Sequence, residues 1–583
     1  MRILRFIHHS ISTNSLQILH IHRHVRSINS CYSHHFLHSG VAFATSEEAQ
    51  VDSRIVQTKN GKIVGRRLVD WPGREVDAYQ GIPFAKPPVG PLRFQKPQPV
   101  ENWDGIRETK AFGNRCIQPE FSFVKHAIPA TEDCLYLNVF TPAWEPPERG
   151  FPVMAYIHGG AFMIDGTSNC GEITICENLC QYGIVYVTLA YRVGYLGFLT
   201  VGDDSICPSN AAGLQWVVDN ISQFGGNANN ITLMGPSAGG ASSDMLHLSP
   251  HTNKLFHKTI LFAGSSHAPW CKHEGKGTET MEESCTRFAR ERGIEWTTKQ
   301  ELVQRLRELP AEQFKVEAWS TQGEDMDADF DCTPVEGGEF FCNQTYEELR
   351  KKAPPIPMMT GVTNLEGLIF TFKRRPDEAA AWKFLDHCIP EGTENRDEAK
   401  RAFFQKYIDH IKGDKEEASE KDIYRARLEV FGDYYTAAPA LQVCLEYLGN
   451  FGDAVPVYLY VFAYYNPDCY GPLKNSMPVQ DATHGLELAY FLGKGCLFQY
   501  DFNEDDKKML KMFCGSCANF AKYGDPNGPA EKTTLPIKWE PVSVQQPERH
   551  IVFTLNPKMS DSYLYGLPME IIKNHEKTRS AEL

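Results

Sequence analysis

Short, nearly uninterrupted apolar runs punctuate this chain at 153–157, 184–190, 231–234, 259–262, 358–362 and 457–462. They are rich in β-branched and aromatic residues and end at glycine, proline or asparagine, which predicts strands. Continuous rather than alternating apolar character predicts burial on both faces, as in a mostly parallel sheet. Between them, 216–224, 282–292, 299–309 and 505–522 place apolar residues at helical spacing. Strands alternating with helices predict an α/β architecture, a large, mostly parallel twisted sheet flanked by helices. With no internal repeat or long linker, one domain over 51–570 is the economical reading. A disordered or targeting leader, 1–50, would precede it and a short flexible tail, 571–583, would follow.

The predicted strand 231–234 runs into Gly235-Pro236-Ser237-Ala238-Gly239, and 240–248 reads as a helix. A nucleophile on a tight strand-to-helix turn leaves no room for flanking side chains, which is why glycines stand there. Ser237 would then sit at a helix N-terminus, where backbone dipoles favour negative charge. Further along lie Asn364-Leu365-Glu366-Gly367 and Thr483-His484-Gly485, while His158-Gly159-Gly160 lies upstream. Each island alone is common. Serine, acid and histidine in that order, behind an HGG element, form the layout of an α/β-hydrolase active site, unlike the chain orders of chymotrypsin and subtilisin. His484 would accept the proton of Ser237, and Glu366 would hold the imidazole in the right tautomer. The N–H groups of Ala238, Gly159 and Gly160 would receive an oxyanion.

Composition narrows the partners. A formal charge of -14 argues against nucleic acid, and no apolar run approaches the length of a membrane span. Residues 1–46 carry Arg2, Arg5, Arg23 and Arg26 but no acid. That fits a mitochondrial presequence loosely and an unstructured leader equally well. Cytoplasm and secretory pathway or ER lumen stay equally open, because the terminal Ser-Ala-Glu-Leu583 shares only Glu-Leu with an ER retention signal. Of the sequons at Asn220, Asn230 and Asn343, only the last is expected on the surface. The acidic stretch 325–336 mimics a calcium loop but has Phe330 where the sharp turn needs glycine. Cys514 and Cys517 lie within a predicted helix, the wrong place for a redox dithiol. No metal and no cofactor are expected.

Longer motifs add a resemblance. Gly81-Ile-Pro-Phe-Ala-Lys-Pro-Pro-Val-Gly90, Glu132-Asp-Cys-Leu-Tyr-Leu-Asn138, Tyr191-Arg-Val-Gly-Tyr-Leu-Gly197 and Asn519-Phe-Ala-Lys-Tyr-Gly-Asp525 resemble the type-B carboxylesterase family, which includes the cholinesterases. The likeness implies an α/β-hydrolase that cleaves small carboxylic esters through an acyl-serine, without cofactor. It puts the triad on Ser237, Glu366 and His484 and the oxyanion hole on Gly159, Gly160 and Ala238. It also implies a Cys116–Cys134 disulfide and an Arg93–Glu132 ion pair. The chain departs from the family at several places. Ile294 and Arg305 occupy the second disulfide's positions, leaving Cys271 and Cys285 as an alternative pair. Pro236 replaces the usual glutamate, removing a backbone donor from a central strand. Residues 210–216 are about six residues shorter than in relatives, well over a helical turn, a real deletion or a gene-model error that would compromise folding. No Trp occurs in 117–133, so the cation–π seat of cholinesterases is missing. A general serine carboxylesterase is therefore the expectation. The alternatives are a catalytically silent, neuroligin-like binding protein on the same fold, or a lipase-like esterase preferring long acyl chains.

Overall fold

The computed structural model describes residues 51–119, 127–201, 209–271, 280–316, 332–371 and 377–582. The leader and most of the acidic stretch 325–336 lie outside them. From Asp52 onward the chain forms one compact unit. Its centre is an 11-stranded sheet. In chain order the strands are β1 (Arg66–Leu68), β2 (Val76–Pro83), β3 (Tyr136–Pro142), β4 (Phe151–Ile157), β5 (Val185–Leu189) and β6 (Gly226–Pro236). The sequence then adds β7 (Lys258–Phe262), β8 (Met358–Thr363), β9 (Val457–Phe462), β10 (His550–Phe553) and β11 (Lys558–Ser560). Across the sheet the order is β1-β2-β3-β5-β4-β6-β7-β8-β9-β10-β11. Every pairing from β5 through β10 is parallel, and both margins are antiparallel.

Every strand expected from the apolar runs is present, and each lies in the parallel centre. The marginal strands β1, β2, β3, β10 and β11 escape that pattern because polar residues interrupt them. Asp77, Asn138, Thr141 and His550 are all buried there, between apolar neighbours. Each spends its polar atoms locally; Asn138, for example, donates to Thr188 Oγ1 at 2.8 Å and accepts from the N–H of Gly81 at 2.9 Å. Buried polar groups with partners fold well but do not look like a strand.

The helices that matter to the site are α1 (Ser209–Asn220), α2 (Ala238–Leu248), α3 (Glu420–Gly432), α4 (Ala438–Phe451), α5 (Glu504–Tyr523) and α6 (Leu567–Glu582). The expected helices 282–292 and 299–309 are found as Met281–Glu291 and Lys299–Glu308. The third expectation, 216–224, needs correction. Its helix begins at Ser209 and ends at Asn220, and 221–224 is a 3-10 turn. Ala211, Ala212 and Gly213 carry too little apolar signal to announce a helix. The helix α1 nonetheless buries Leu214, Trp216 and Val217. Positions from 571, expected as a flexible tail, continue α6, because Ile571 and Ile572 are buried against the core.

Asn220 is 2% exposed and holds the Lys59 N–H at 2.8 Å, while Asn343 is exposed. Cys116 and Cys134 are joined, and Arg93 grips Glu132 through two 2.6 Å contacts. The Cys271–Cys285 pair does not form. The Cys271 thiol points at the Ala268 carbonyl, and Cys285 sulfur accepts the Thr200 N–H. Cys514 and Cys517 are core residues of α5, and burial pushes the Cys514 thiol up to about 12. No described helix is long and apolar enough to cross a membrane.

A buried ionic cluster locks α2 to its surroundings. Arg350 reaches both oxygens of Asp244 at 2.6 and 2.7 Å, Ser266 Oγ at 2.9 Å, and Glu446 of α4 at 3.2 Å. Removing one partner of a buried pair strands the other charge without water. We therefore expect Arg350→Met to destabilise the fold by about 3–5 kcal/mol, read as a lowered denaturation midpoint. An unchanged midpoint would contradict the account.

Candidate active site

The sheet reverses direction at β4, which has β5 on one side and β6 on the other. In open α/β sheets, ligands bind outside the carboxyl ends of strands at such a switch point. His158-Gly159-Gly160 follow the end of β4, and Ser237 follows the end of β6. The two loops are thus neighbours because their strands pair, with Met234 opposite Tyr156.

Ser237 sits at φ 52° and ψ -125°, a conformation L-residues rarely adopt. Strain of this kind costs on the order of 1–3 kcal/mol and persists only when the surroundings enforce it. The enforcement is visible. The N–H of Ser237 donates to Phe262 O at 2.7 Å, and its carbonyl accepts from Ala241 N at 2.9 Å. The turn is also squeezed against β4, and a Cβ on Gly235 or Gly239 would lie 2.3 or 2.1 Å from Ile157 O. Only glycine allows that approach, so the G-x-S-x-G spacing is a steric requirement here.

Pro236 does no harm at this position. Alternate residues of a strand direct their N–H groups to opposite neighbours. Ser237 bonds toward β7, so position 236 faces β4, where pairing has already ended at Met234. The missing donor therefore removes no ladder hydrogen bond. The proline packs instead against the HGG loop, since a Cβ on Gly159 would lie 2.9 Å from Pro236 O and 3.5 Å from its Cγ.

That loop is tied down from behind. Tyr191 donates to His158 O at 3.0 Å, and its ring stacks on the His158 imidazole at 4.3 Å. His158 Nδ1 donates to Gly159 O at 3.0 Å. Burial lowers the pKa of His158, so the ring stays neutral. Among the described residues, the N–H groups of Gly159, Gly160 and Ala238 meet no hydrogen-bond acceptor. These unspent donors are the features an oxyanion hole needs. Tyr191 was quoted in the sequence only as part of a motif, and its tethering role follows from a contact no local pattern encodes.

Glu366 lies just past the end of β8, whereas His484 lies well beyond β9, after the 3-10 stretch Pro467–Asn475. His484 Nδ1 lies 2.5 Å from Glu366 Oε2. The other carboxylate oxygen accepts from Thr363 N at 2.5 Å and from its hydroxyl at 2.8 Å. Glu366 is 3% exposed. Burial alone would lower the pKa of His484. The Glu366 charge and hydrogen bond, with a further contribution from Glu487, reverse this and raise it above the ordinary 6.5. Burial also pushes the Glu487 carboxyl up to about 8, with the Glu366 charge adding to the effect. The structure therefore joins His484 to Glu366 and sets the HGG loop against Ser237. Ser237 is partly buried, and its Oγ makes no hydrogen bond to a described residue.

The family model described as "Carboxylesterase family" matches residues 52–570. The chain belongs to the carboxylesterase family. It is 34% identical to Esterase cest-33 of Caenorhabditis elegans, over 82% of this chain and 86% of that protein. It is 30% identical to Liver carboxylesterase 1 of Oryctolagus cuniculus, over 81% and 86% of the two chains. Acylcarnitine hydrolase of Mus musculus is 32% identical, over 81% and 84%. This carboxylesterase is accordingly an α/β-hydrolase and a carboxylic ester hydrolase acting on small-molecule esters.

Proposed function

We propose that Ser237 is the nucleophile of this carboxylesterase, His484 its general base and acid, and Glu366 the residue that orients and charges His484. Nδ1 of the imidazole is occupied by Glu366, which leaves Nε2 for the serine proton. Attack forms the Ser237 Oγ–carbonyl carbon bond as the proton passes to Nε2. The negative charge collects on the former carbonyl oxygen. Ala238, Gly159 and Gly160 N–H groups stabilise it, each worth about 2.7–4 kcal/mol in comparable sites. Collapse expels the alcohol, which takes the proton from His484. Water deprotonated at Nε2 then attacks the acyl-serine, and the acid leaves as the serine recovers its proton.

The observation that carries this reading is the strained serine turn beside three unspent N–H donors. The formed Glu366–His484 pair supports it from the other side. The missing Ser237 hydrogen bond does not oppose it, because catalytic hydrogen bonds are often loose before substrate binds. A purified full-length protein should turn over p-nitrophenyl butyrate and take up one fluorophosphonate per chain, losing activity in parallel. Folded protein that does neither would favour the silent binding protein instead.

A further inference from the structure

A cavity of about 390 Å³ opens away from the catalytic groups, with none of Ser237, Glu366 or His484 in its wall. Its size falls within the range of small-molecule sites, roughly 300–1,000 Å³. The wall is formed by α3, by Asp433 at the start of the π-helical turn Asp433–Ala437, and by the strained segment Leu564-Tyr565. Leu564 and Tyr565 have φ of 41° and 64° in succession. That conformation holds the Tyr565 ring on the rim, where the residue is 61% exposed.

All but one of the acids around the cavity have a cationic partner. Arg425 is divided between Glu429 and Asp481, at 2.7 Å each. Asp422 is held by Lys415 at 3.0 Å. Lys421 is exposed at the edge, and burial followed by the Arg425 charge lowers the pKa of His410, leaving it neutral. Asp433 is left over. It is 6% exposed, and Oδ2 accepts from Tyr407 OH at 2.9 Å. Oδ1 has no hydrogen-bond partner among the described residues although its residue lines the cavity. Burial, with the Glu429 charge added, pushes the Asp433 carboxyl well above the usual range. The acid avoids the cost of a buried charge by holding its proton, and a cation in the cavity would release that proton to solvent and pair with the carboxylate.

We propose that this cavity is a binding site for a small organic ammonium, with the cation against Asp433 and its apolar part against Tyr565. An aromatic face beside a buried carboxyl suits an organic cation, because the ring attracts positive charge while covering carbon. A metal ion fits less well. Among the described residues no group of three or more His, Cys, Asp or Glu side chains is placed to hold one. The site is independent of ester hydrolysis, although it borders the catalytic loop. Asn364 lines the cavity, and a Cβ on Gly432 would lie 2.9 Å from that of Glu366.

The test is titration calorimetry of the full-length protein with benzylammonium, after fluorophosphonate treatment to remove binding at the catalytic serine. Saturable binding is expected, with benzyl alcohol, the neutral analogue, at least about tenfold weaker. Asp433→Asn, which keeps an acceptor for Tyr407, should weaken the ammonium by a similar factor. If that variant fails to fold, the exposed Tyr565→Ala serves in its place and should also bind more weakly. Equal affinity for alcohol and ammonium, affinity unaffected by the folded variants, or no saturable binding into the millimolar range would each overturn the proposal.

Discussion

Ser237→Ala should remove about six orders of magnitude from kcat toward p-nitrophenyl butyrate, the scale lost when a serine hydrolase loses its nucleophile. KM and the circular dichroism spectrum should stay near those of the parent, because Ser237 Oγ makes no hydrogen bond to a described residue. Fluorophosphonate labelling should disappear with the activity. Ser237→Gly should be equally inactive yet more stable. Glycine adopts φ 52° without a Cβ penalty. Strain of about 1–3 kcal/mol is relieved against a backbone entropy cost of roughly 0.5–1 kcal/mol. A net gain of about 1 kcal/mol follows, visible as a higher melting temperature. Retained activity in the alanine variant would exclude Ser237 as nucleophile. A glycine variant less stable than the parent would mean the turn stores no strain.

Glu366→Gln should lower kcat by about 10⁴-fold, the cost seen when the orienting acid of a serine triad becomes an amide. The amide can hold the ring in the wrong tautomer and cannot stabilise the imidazolium. A second, diagnostic effect is on pH dependence. With His484 as the proposed base, catalysis needs its neutral form, so activity should fall as pH drops through its pKa. That pKa lies above 6.5 because the Glu366 charge outweighs burial. Removing the charge leaves burial unopposed by its main partner, so the acid limb should move to lower pH while the plateau falls. A variant that merely perturbed packing would lose rate without moving the limb. A limb that stayed in place would show that Glu366 does not set the proton affinity of the base.

The two halves of the site differed in how far they could be read along the chain. The serine turn was legible because its cause is local. Gly235 and Gly239 stand where Ile157 O of β4 would lie 2.3 and 2.1 Å from any Cβ, and that demand falls on positions close to the serine on either side. The acid and histidine were legible as islands through their order, and Glu366 also through its place just past a strand; His484 lies well beyond β9, after the 3-10 stretch Pro467–Asn475. Their meeting was not, since Glu366 and His484 are 118 residues apart and β8 must pair with β9 before they approach. Pro236 illustrates the converse. Its missing donor looked harmful in a central strand, and the register shows that position 236 has no partner on the side it faces.

What the sequence alone determined about this carboxylesterase is the parallel centre of the sheet, the steric form of the Ser237 turn, and the chain order of the three proposed catalytic residues. Those are set by apolar continuity and by glycine spacing, interactions among near neighbours that the one-dimensional pattern records directly. Tertiary structure decided the polar marginal strands, the continuation of α6 past 571, the Tyr191 tether behind the HGG loop, and the unpaired carboxyl oxygen of Asp433. Each depends on what lies across a gap in space. Burial and counter-charge are properties of the assembled surroundings, and the same aspartate or tyrosine in the linear chain gives no sign of which it will meet.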